Sequence, residues 1–151
     1  MNAFFGSSKL TIDDKGRMVM PSSHRDELLK QCGGEIVMTA PFRRFLYIYP
    51  APAFSTLLDR LDQYPDTDPG WNDIKASFTA HARPDVLDRA GRLLLPPELR
   101  ERLTLRKTVN LVGRGNRFEL WDQERWDEES AAREARLESG SMPAGFEHFR
   151  F

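Results

Sequence analysis

The chain has a single cysteine, Cys32, among 151 residues. That excludes an internal disulfide framework and a cysteine-based zinc site. A reducing cytoplasm is the compartment such a chain suits. No apolar stretch approaches the ~20 residues of a membrane span. The opening Met1-Asn2-Ala3-Phe4-Phe5-Gly6 has no basic segment followed by an apolar run, so neither a signal peptide nor a membrane association is expected. Only three histidines occur, His24, His81 and His148, and none has ligand spacing. No metal and no cofactor is therefore expected. There is no convergent Ser/His/Asp or Cys/His set and no phosphate-cradling glycine loop before a helix. An enzyme with a small-molecule substrate is not expected.

An excess of one charge is lacking too. Lys plus Arg number 22 and Asp plus Glu 23, for a net charge of −1. This excludes a globally basic nucleic-acid binder. The charges are unevenly placed, however. Residues 1–56 carry +2, 57–80 carry −3, 81–121 carry +4 and 122–151 carry −4. An anionic partner would be met by part of the surface, not by the whole field. The composition, 40% hydrophobic and 30% charged, suits a globular fold.

What the chain does have is an internal repeat, at an offset of 75. Ile12-Asp13-Asp14-Lys15-Gly16-Arg17-Met18-Val19-Met20-Pro21 lies over Leu87-Asp88-Arg89-Ala90-Gly91-Arg92-Leu93-Leu94-Leu95-Pro96. Arg25 falls over Arg100 and Leu28 over Leu103. After a slip of two, Arg44-Phe45-x-Tyr47-Ile48 matches Arg117-Phe118-x-Leu120-Trp121. Each copy predicts a strand ending at the Asp, a turn at Gly16 or Gly91, and a second short strand. Pro21 or Pro96 then opens a helix, over Ser22–Gln31 or Pro97–Leu103. Two further strands follow, near Glu35–Thr39 and Phe45–Tyr49, or Thr108–Val112 and Arg117–Trp121. The turn Gly113-Arg114-Gly115-Asn116 reads as a hairpin connection.

A ββαββ module this short cannot bury a good core alone. Two copies can pair their open edges and share one. The expected fold is α+β, with a pseudo-two-fold, barrel-like core. The copies are placed at residues 7–54 and 83–126. A helical connector lies between them at 55–82, and a charged helix and tail at 127–151. Within the connector, Ala53–Tyr64 and Trp71–Arg83 show helical spacing of apolar residues, around a Pro65–Gly70 loop. Gln123–Ser139 reads as a charged helix.

The doubled turn, together with Asn116-Arg117-Phe118-Glu119-Leu120-Trp121, closely resembles the MraZ family over roughly residues 4–127. Modules of that family belong to the AbrB-like, swapped-hairpin superfamily. The resemblance implies a bacterial transcriptional regulator that binds repeated promoter elements ahead of the division and cell-wall genes. It also implies a closed homo-oligomeric ring, in the cytoplasm at the nucleoid. His24 departs from the pattern, since the family usually has an aromatic residue before Arg25; a packing variant is expected.

Carried over, the family's double-stranded-DNA contacts fall on Asp13, Lys15, Gly16 and Arg17, and on Asp88, Arg89, Gly91 and Arg92. The chemistry fits. An Arg fork can donate two hydrogen bonds to guanine O6 and N7, or clamp a phosphate. A carboxylate across a glycine turn can hold that Arg in one rotamer. Lys15 suits phosphate as a point charge. Spacing alone leaves open that the Asp–Arg pairs only pin each hairpin, in an adaptor oligomer or an antitoxin-like protein. The doubled module argues against the antitoxin. Arg25 and Arg100 are expected to bridge to the other half or to touch phosphate. Arg43, Arg44, Arg114 and Arg117 are expected at the surface or an interface, and Trp71, Trp121 and Trp126 in packing.

Overall fold

The computed structural model describes residues 3–151; Met1 and Asn2, part of the stretch inspected for a leader, lie outside it. The first copy contributes strands β1 (Ser7–Thr11) and β2 (Arg17–Val19), helix α1 (Ser22–Cys32), and strands β3 (Glu35–Thr39) and β4 (Leu46–Pro50). Helices α2 (Ala51–Leu61) and α3 (Pro69–Ala80) connect it to the second copy. That copy comprises β5 (Arg83–Val86), β6 (Arg92–Leu94), α4 (Pro97–Leu103), β7 (Thr108–Gly113) and β8 (Phe118–Asp122). Helix α5 (Gln123–Glu138) follows, and a 3-10 turn lies at Phe146–His148. The ββαββ order holds in both copies.

The copies interleave. One antiparallel six-stranded sheet runs β1-β7-β8-β4-β3-β5, and a separate ribbon pairs β2 with β6. Each module thus sends its first strand to the other module's third: β1 pairs β7, and β5 pairs β3. This exchange defines the swapped hairpin. It supplies partners to edges that either module alone would leave open. The register obeys the repeat. Met18 faces Leu93, its own counterpart 75 positions on, so a pseudo-two-fold axis passes through that pair.

Strand alternation sorts side chains between two faces. On the ribbon Met18, Met20, Leu93 and Leu95 are buried, whereas Val19 and Leu94 are exposed. The buried set joins Ile36, Met38, Leu46, Ile48, Leu111, Phe118 and Leu120 from the sheet, with Leu28 and Leu99 from the helices. One core therefore draws on both copies. The opposite sheet face is aromatic. Tyr49 packs near Phe54 of α2, Tyr47 near Phe78 of α3, and Trp121 meets Trp126 of α5 edge-on. Thr39 Oγ1 donates to the Phe78 carbonyl at 2.8 Å, and Arg125 donates to the Arg43 carbonyl at 2.8 Å; these bonds seat α3 and α5.

The connector departs from the sequence expectation at both ends of its second helix. Helix α3 begins at Pro69, inside the stretch read as loop, because the Asp68 side chain caps the Gly70 and Trp71 N–H groups. It ends at Ala80, and Arg83 begins a strand instead of closing the helix. Pro84 forces this: a residue before proline is pushed out of the helical region. β5 is an edge strand, where a proline costs no ladder bond. No helix among the described residues is long and apolar enough to cross a membrane.

Candidate nucleic-acid interface

Both Asp–Arg turns fall at the ends of the β2–β6 ribbon. In the first, the Gly16 N–H donates to the Asp13 carbonyl at 2.9 Å, and the Asp13 N–H to the Arg17 carbonyl at 2.9 Å. Asp13 Oδ1 accepts from the Lys15 and Arg17 backbone N–H groups at 2.9 and 2.8 Å. Its Oδ2 accepts from Arg17 Nε at 3.0 Å. The second turn repeats the bonds from glycine and arginine, with the Gly91 N–H donating to the Asp88 carbonyl at 2.9 Å. Asp88 Oδ1 accepts from the Arg92 N–H at 2.9 Å, and Oδ2 from Arg92 Nε at 2.9 Å. In each copy the carboxylate grips the Arg by backbone and side chain together.

That grip has an electrostatic signature. The Arg17 backbone N–H, assisted by the Arg17 side chain, holds the Asp13 carboxyl below its ordinary range. The Arg92 N–H and guanidinium do the same for Asp88. Both ion pairs are solvent-exposed, so their value lies in orientation, not in stability. The Asp engages Nε of each guanidinium, so the terminal amino groups are the donors left for another acceptor.

Gly16 and Gly91 take positive φ, +83° and +79°, as the turns require. Each is buried beneath an arginine from the other copy. The Arg100 guanidinium covers Gly16, and the Arg25 stem covers Gly91. Arg100 Nε also donates to the Leu95 carbonyl at 3.2 Å. The two glycine carbonyls complete a reciprocal clasp: Gly16 accepts from Leu95 N–H at 2.9 Å and Gly91 from Met20 N–H at 2.7 Å. Each turn is therefore fixed by the other half of the chain. Of the two roles open for Arg25 and Arg100, the geometry displays the bridging one.

Arg17 pairs across the ribbon with Leu94, and Val19 with Arg92. By alternation these four side chains share the outward face, while Met18 and Leu93 point inward. Lys15 and Arg89 stand on the two turns, both exposed. The structure thus places Asp13, Lys15, Arg17, Asp88, Arg89 and Arg92 on the two turns and the ends of one two-fold-related ribbon, with Gly16 and Gly91 buried beneath the turns. It does not bring Arg43, Arg44, Arg114 or Arg117 there. Arg44 pairs with Glu129 on α5 at 3.5 Å, and Arg114 pairs with the buried Glu119 at 3.3 Å. Arg117 lies over the Tyr47 ring, 5.7 Å from its centroid.

Two features escaped the sequence reading. The outward exposure of Val19 and Leu94 was legible in principle from period-two alternation beside the buried Met18 and Leu93. The ion pair of Arg106 with the buried Asp122, at 2.5 Å, had no such signal. It ties the start of β7 to the start of α5, away from the turns. His24 fits its expected part: its ring packs edge-on against Phe118 at 4.9 Å and Phe4 at 6.0 Å, taking the aromatic place. Among the described residues no group of three metal-ligating side chains comes together.

Two interleaved ββαββ copies sharing one core, with a gripped Asp–Arg turn from each, define an AbrB-like protein of the duplicated, swapped-hairpin kind. The chain belongs to the MraZ family, whose pattern, described as "MraZ protein, putative antitoxin-like", matches residues 3–75 and 78–141. Similar proteins include the transcriptional regulator MraZ of Halorhodospira halophila, 40% identical over 147 residues that span 95% of this chain and 97% of that one. The transcriptional regulator MraZ of Dechloromonas aromatica is 40% identical over 143 residues, covering 95% and 96%. That of Chromobacterium violaceum is 41% identical over 126 residues, covering 83% and 85%. It is a family of regulators, not of enzymes.

Proposed function

We propose that this chain is a transcriptional regulator that binds double-stranded DNA sequence-specifically, with the β2–β6 ribbon as its reading element. The observation that carries this is the pairing of β2 with β6, which puts two carboxylate-held arginines on one exposed face. The B-DNA major groove is about 12 Å wide and admits a two-stranded ribbon. Diagonal positions on an antiparallel pair lie about 7–8 Å apart. Arg17 and Arg92 can therefore enter one groove together. With Nε engaged by Asp13 or Asp88, the free amino groups form a fork for guanine O6 and N7. Prior ordering of the side chain lowers the entropy lost on contact. Lys15 and Arg89, on the flanking turns, suit phosphates.

The relatives' name supports regulation of transcription. The family resemblance extends the proposal to repeated promoter elements of the division and cell-wall gene cluster, bound by a closed homo-oligomeric ring at the nucleoid. Several ribbons on one ring would engage successive repeats, and linked weak sites give avidity without new contacts. This also accounts for DNA binding by a chain of net charge −1: the acidic blocks face elsewhere on the surface. Light scattering that showed only monomer at working concentration would remove the ring from the proposal.

The test is binding of Arg17→Ala and Arg92→Ala, followed by fluorescence anisotropy on repeat-containing promoter DNA. Both should fold normally and bind more weakly. Log affinity should fall with log salt, with a slope of about −0.9 per neutralised phosphate. Unchanged affinity in both variants overturns the reading. The reciprocal glycine clasp, and the antitoxin-like description of the family, favour one competitor: an adaptor or antitoxin-like oligomer whose Asp–Arg turns only hold the fold. A pure protein that ignores DNA at low salt yet forms large assemblies would establish that alternative.

A further inference from the structure

We infer that Val19 and Leu94 read thymine, by contact with its C5-methyl group in the major groove. The inference rests on the DNA-binding role proposed for the ribbon. Val19 is 56% exposed and Leu94 52%, although the apolar residues on either side of them, Met18, Met20, Leu93 and Leu95, are buried. They occupy equivalent positions of the two copies, so the pseudo-two-fold axis relates them. Each stands directly opposite an arginine: Val19 faces Arg92, and Leu94 faces Arg17.

On a surface whose other side chains are Lys15, Arg17, Arg89 and Arg92 with the two gripping carboxylates Asp13 and Asp88, so that cations outnumber anions, two apolar side chains need an apolar partner. The cationic surroundings select a polyanion as the ligand that carries it. In DNA the one methyl group presented in the major groove is that of thymine, and apolar side chains contact it. The spacing is suitable. Side chains directly opposite on an antiparallel pair have Cβ atoms about 4.5–5.5 Å apart, and successive bases rise about 3.4 Å. With an Arg fork on one base pair, the apolar side chain opposite reaches a base pair one or two steps away. Val19 is also stiff about χ1, being β-branched, so it offers a fixed surface. The outward face is thereby a four-part reader: two forks for guanine and two apolar tips for thymine, alternating across the ribbon.

The experiment replaces single thymines by deoxyuridine, which removes the methyl group and keeps the base pairing. The probe is a duplex enriched by the full chain from a random-sequence pool. Affinity is measured for the unaltered protein, for the Val19→Ala/Leu94→Ala double variant, and for Arg17→Ala and Arg92→Ala. At contacted positions the unaltered protein should lose about three- to fourfold per methyl removed. The double variant should bind thymine and deoxyuridine duplexes alike. If deoxyuridine is tolerated at every position, or weakens both proteins equally, the inference is overturned. In that event weakened Arg17→Ala and Arg92→Ala leave the DNA-reading role standing. Arginine variants that bind as the unaltered protein does, or a pool that enriches nothing, would overturn the role and the inference together.

Discussion

The Arg100 guanidinium lies 2.8 Å from the point where a Cβ on Gly16 would sit, and the two residues come from different copies of the repeat. Gly91 is covered in the same way, by the Arg25 stem and the Met20 carbonyl, each 3.1 Å from its Cβ position. Neither turn is finished by its own half.

Replacing either glycine by alanine should therefore destabilise the whole chain, not one hairpin. The left-handed backbone alone costs an L-residue about 1–2 kcal/mol. Gly91→Ala should cost more than Gly16→Ala, because a backbone carbonyl cannot swing aside as the end of Arg100 can. Urea unfolding should show a lower midpoint for both, in that order. Equal midpoints to the unaltered chain would contradict the cross-copy packing.

The Asp–Arg grip should be insensitive to pH across the physiological range. Asp13 and Asp88 are held below the ordinary aspartate value of 3.8, chiefly by the backbone N–H of the following Arg. A depressed carboxyl contributes above its unfolded value and stops contributing as pH falls through its folded value. The grip should persist at neutral and mildly acid pH and loosen only below 3.8. Carboxyl carbon shifts followed by NMR should show both residues titrating below 3.8. Titration of Asp13 or Asp88 at 3.8 or above would mean the grip is absent in solution.

Arg17→Lys tests orientation apart from charge. Lysine keeps the positive charge but has no Nε for Asp13 and no planar fork. The variant should retain the salt-dependent part of DNA binding and lose discrimination between cognate and scrambled duplexes, by about 1–3 kcal/mol per lost bidentate contact. Full discrimination by the lysine variant would show that charge alone suffices.

His24 should make stability pH-dependent. Burial against Phe4 and Phe118 pushes its imidazole below the ordinary 6.5. The unfolded chain then takes up the proton first, so stability is complete above 6.5 and declines as pH falls below it. His24→Phe should flatten thermal melting temperature between neutral pH and pH about 5. The slope that remains belongs to His81, which burial and the nearby Arg102 also hold low. A variant as pH-sensitive as its parent would rule out the aromatic pocket as the cause.

Gly113→Ala should release the N-terminal segment. A Cβ there would run into the backbone of Phe4 and Phe5. The two backbone bonds between Phe4 and Gly115, both 2.8 Å, hold Phe4 in the core at 2% exposure. Loss of Phe4 packing resembles a Phe→Ala change, about 3–5 kcal/mol. Phe4→Ala and Gly113→Ala should thus be similarly destabilised and far from additive in combination.

Local signals carried much of this fold. The repeat, the glycine turns and the prolines place six of the eight strands within a residue or so, whereas β1 and β5 stop two residues short of the Asp expected to end them; Pro97–Leu103 is observed at the bounds expected. Pro84 was present to be read, but the apolar spacing of Trp71, Ile74 and Phe78 drew the helix past Ala80. Which strand meets which was less accessible. That β1 and β5 cross to the other copy depends on pairing over about a hundred residues for β1 and about fifty for β5, and no local pattern encodes it. For the same reason the partners of Arg25 and Arg100 could be narrowed to the other half but not named. Of the candidate residues, Asp13, Gly16, Arg17, Asp88, Gly91 and Arg92 stood out because the repeat displays that turn twice, whereas Lys15 and Arg89 have no like residue in the other copy.

The pairing of Met18 with Leu93 also bears on what sequences can be recognised. A homodimer of single modules has identical turns and is restricted to palindromes. Here the two turns lie in one chain and already differ: Asp14-Lys15 in one is Arg89-Ala90 in the other. Carriage in one chain lets each half change without its twin, so the DNA reader proposed above would have a direction along the duplex and distinguish head from tail.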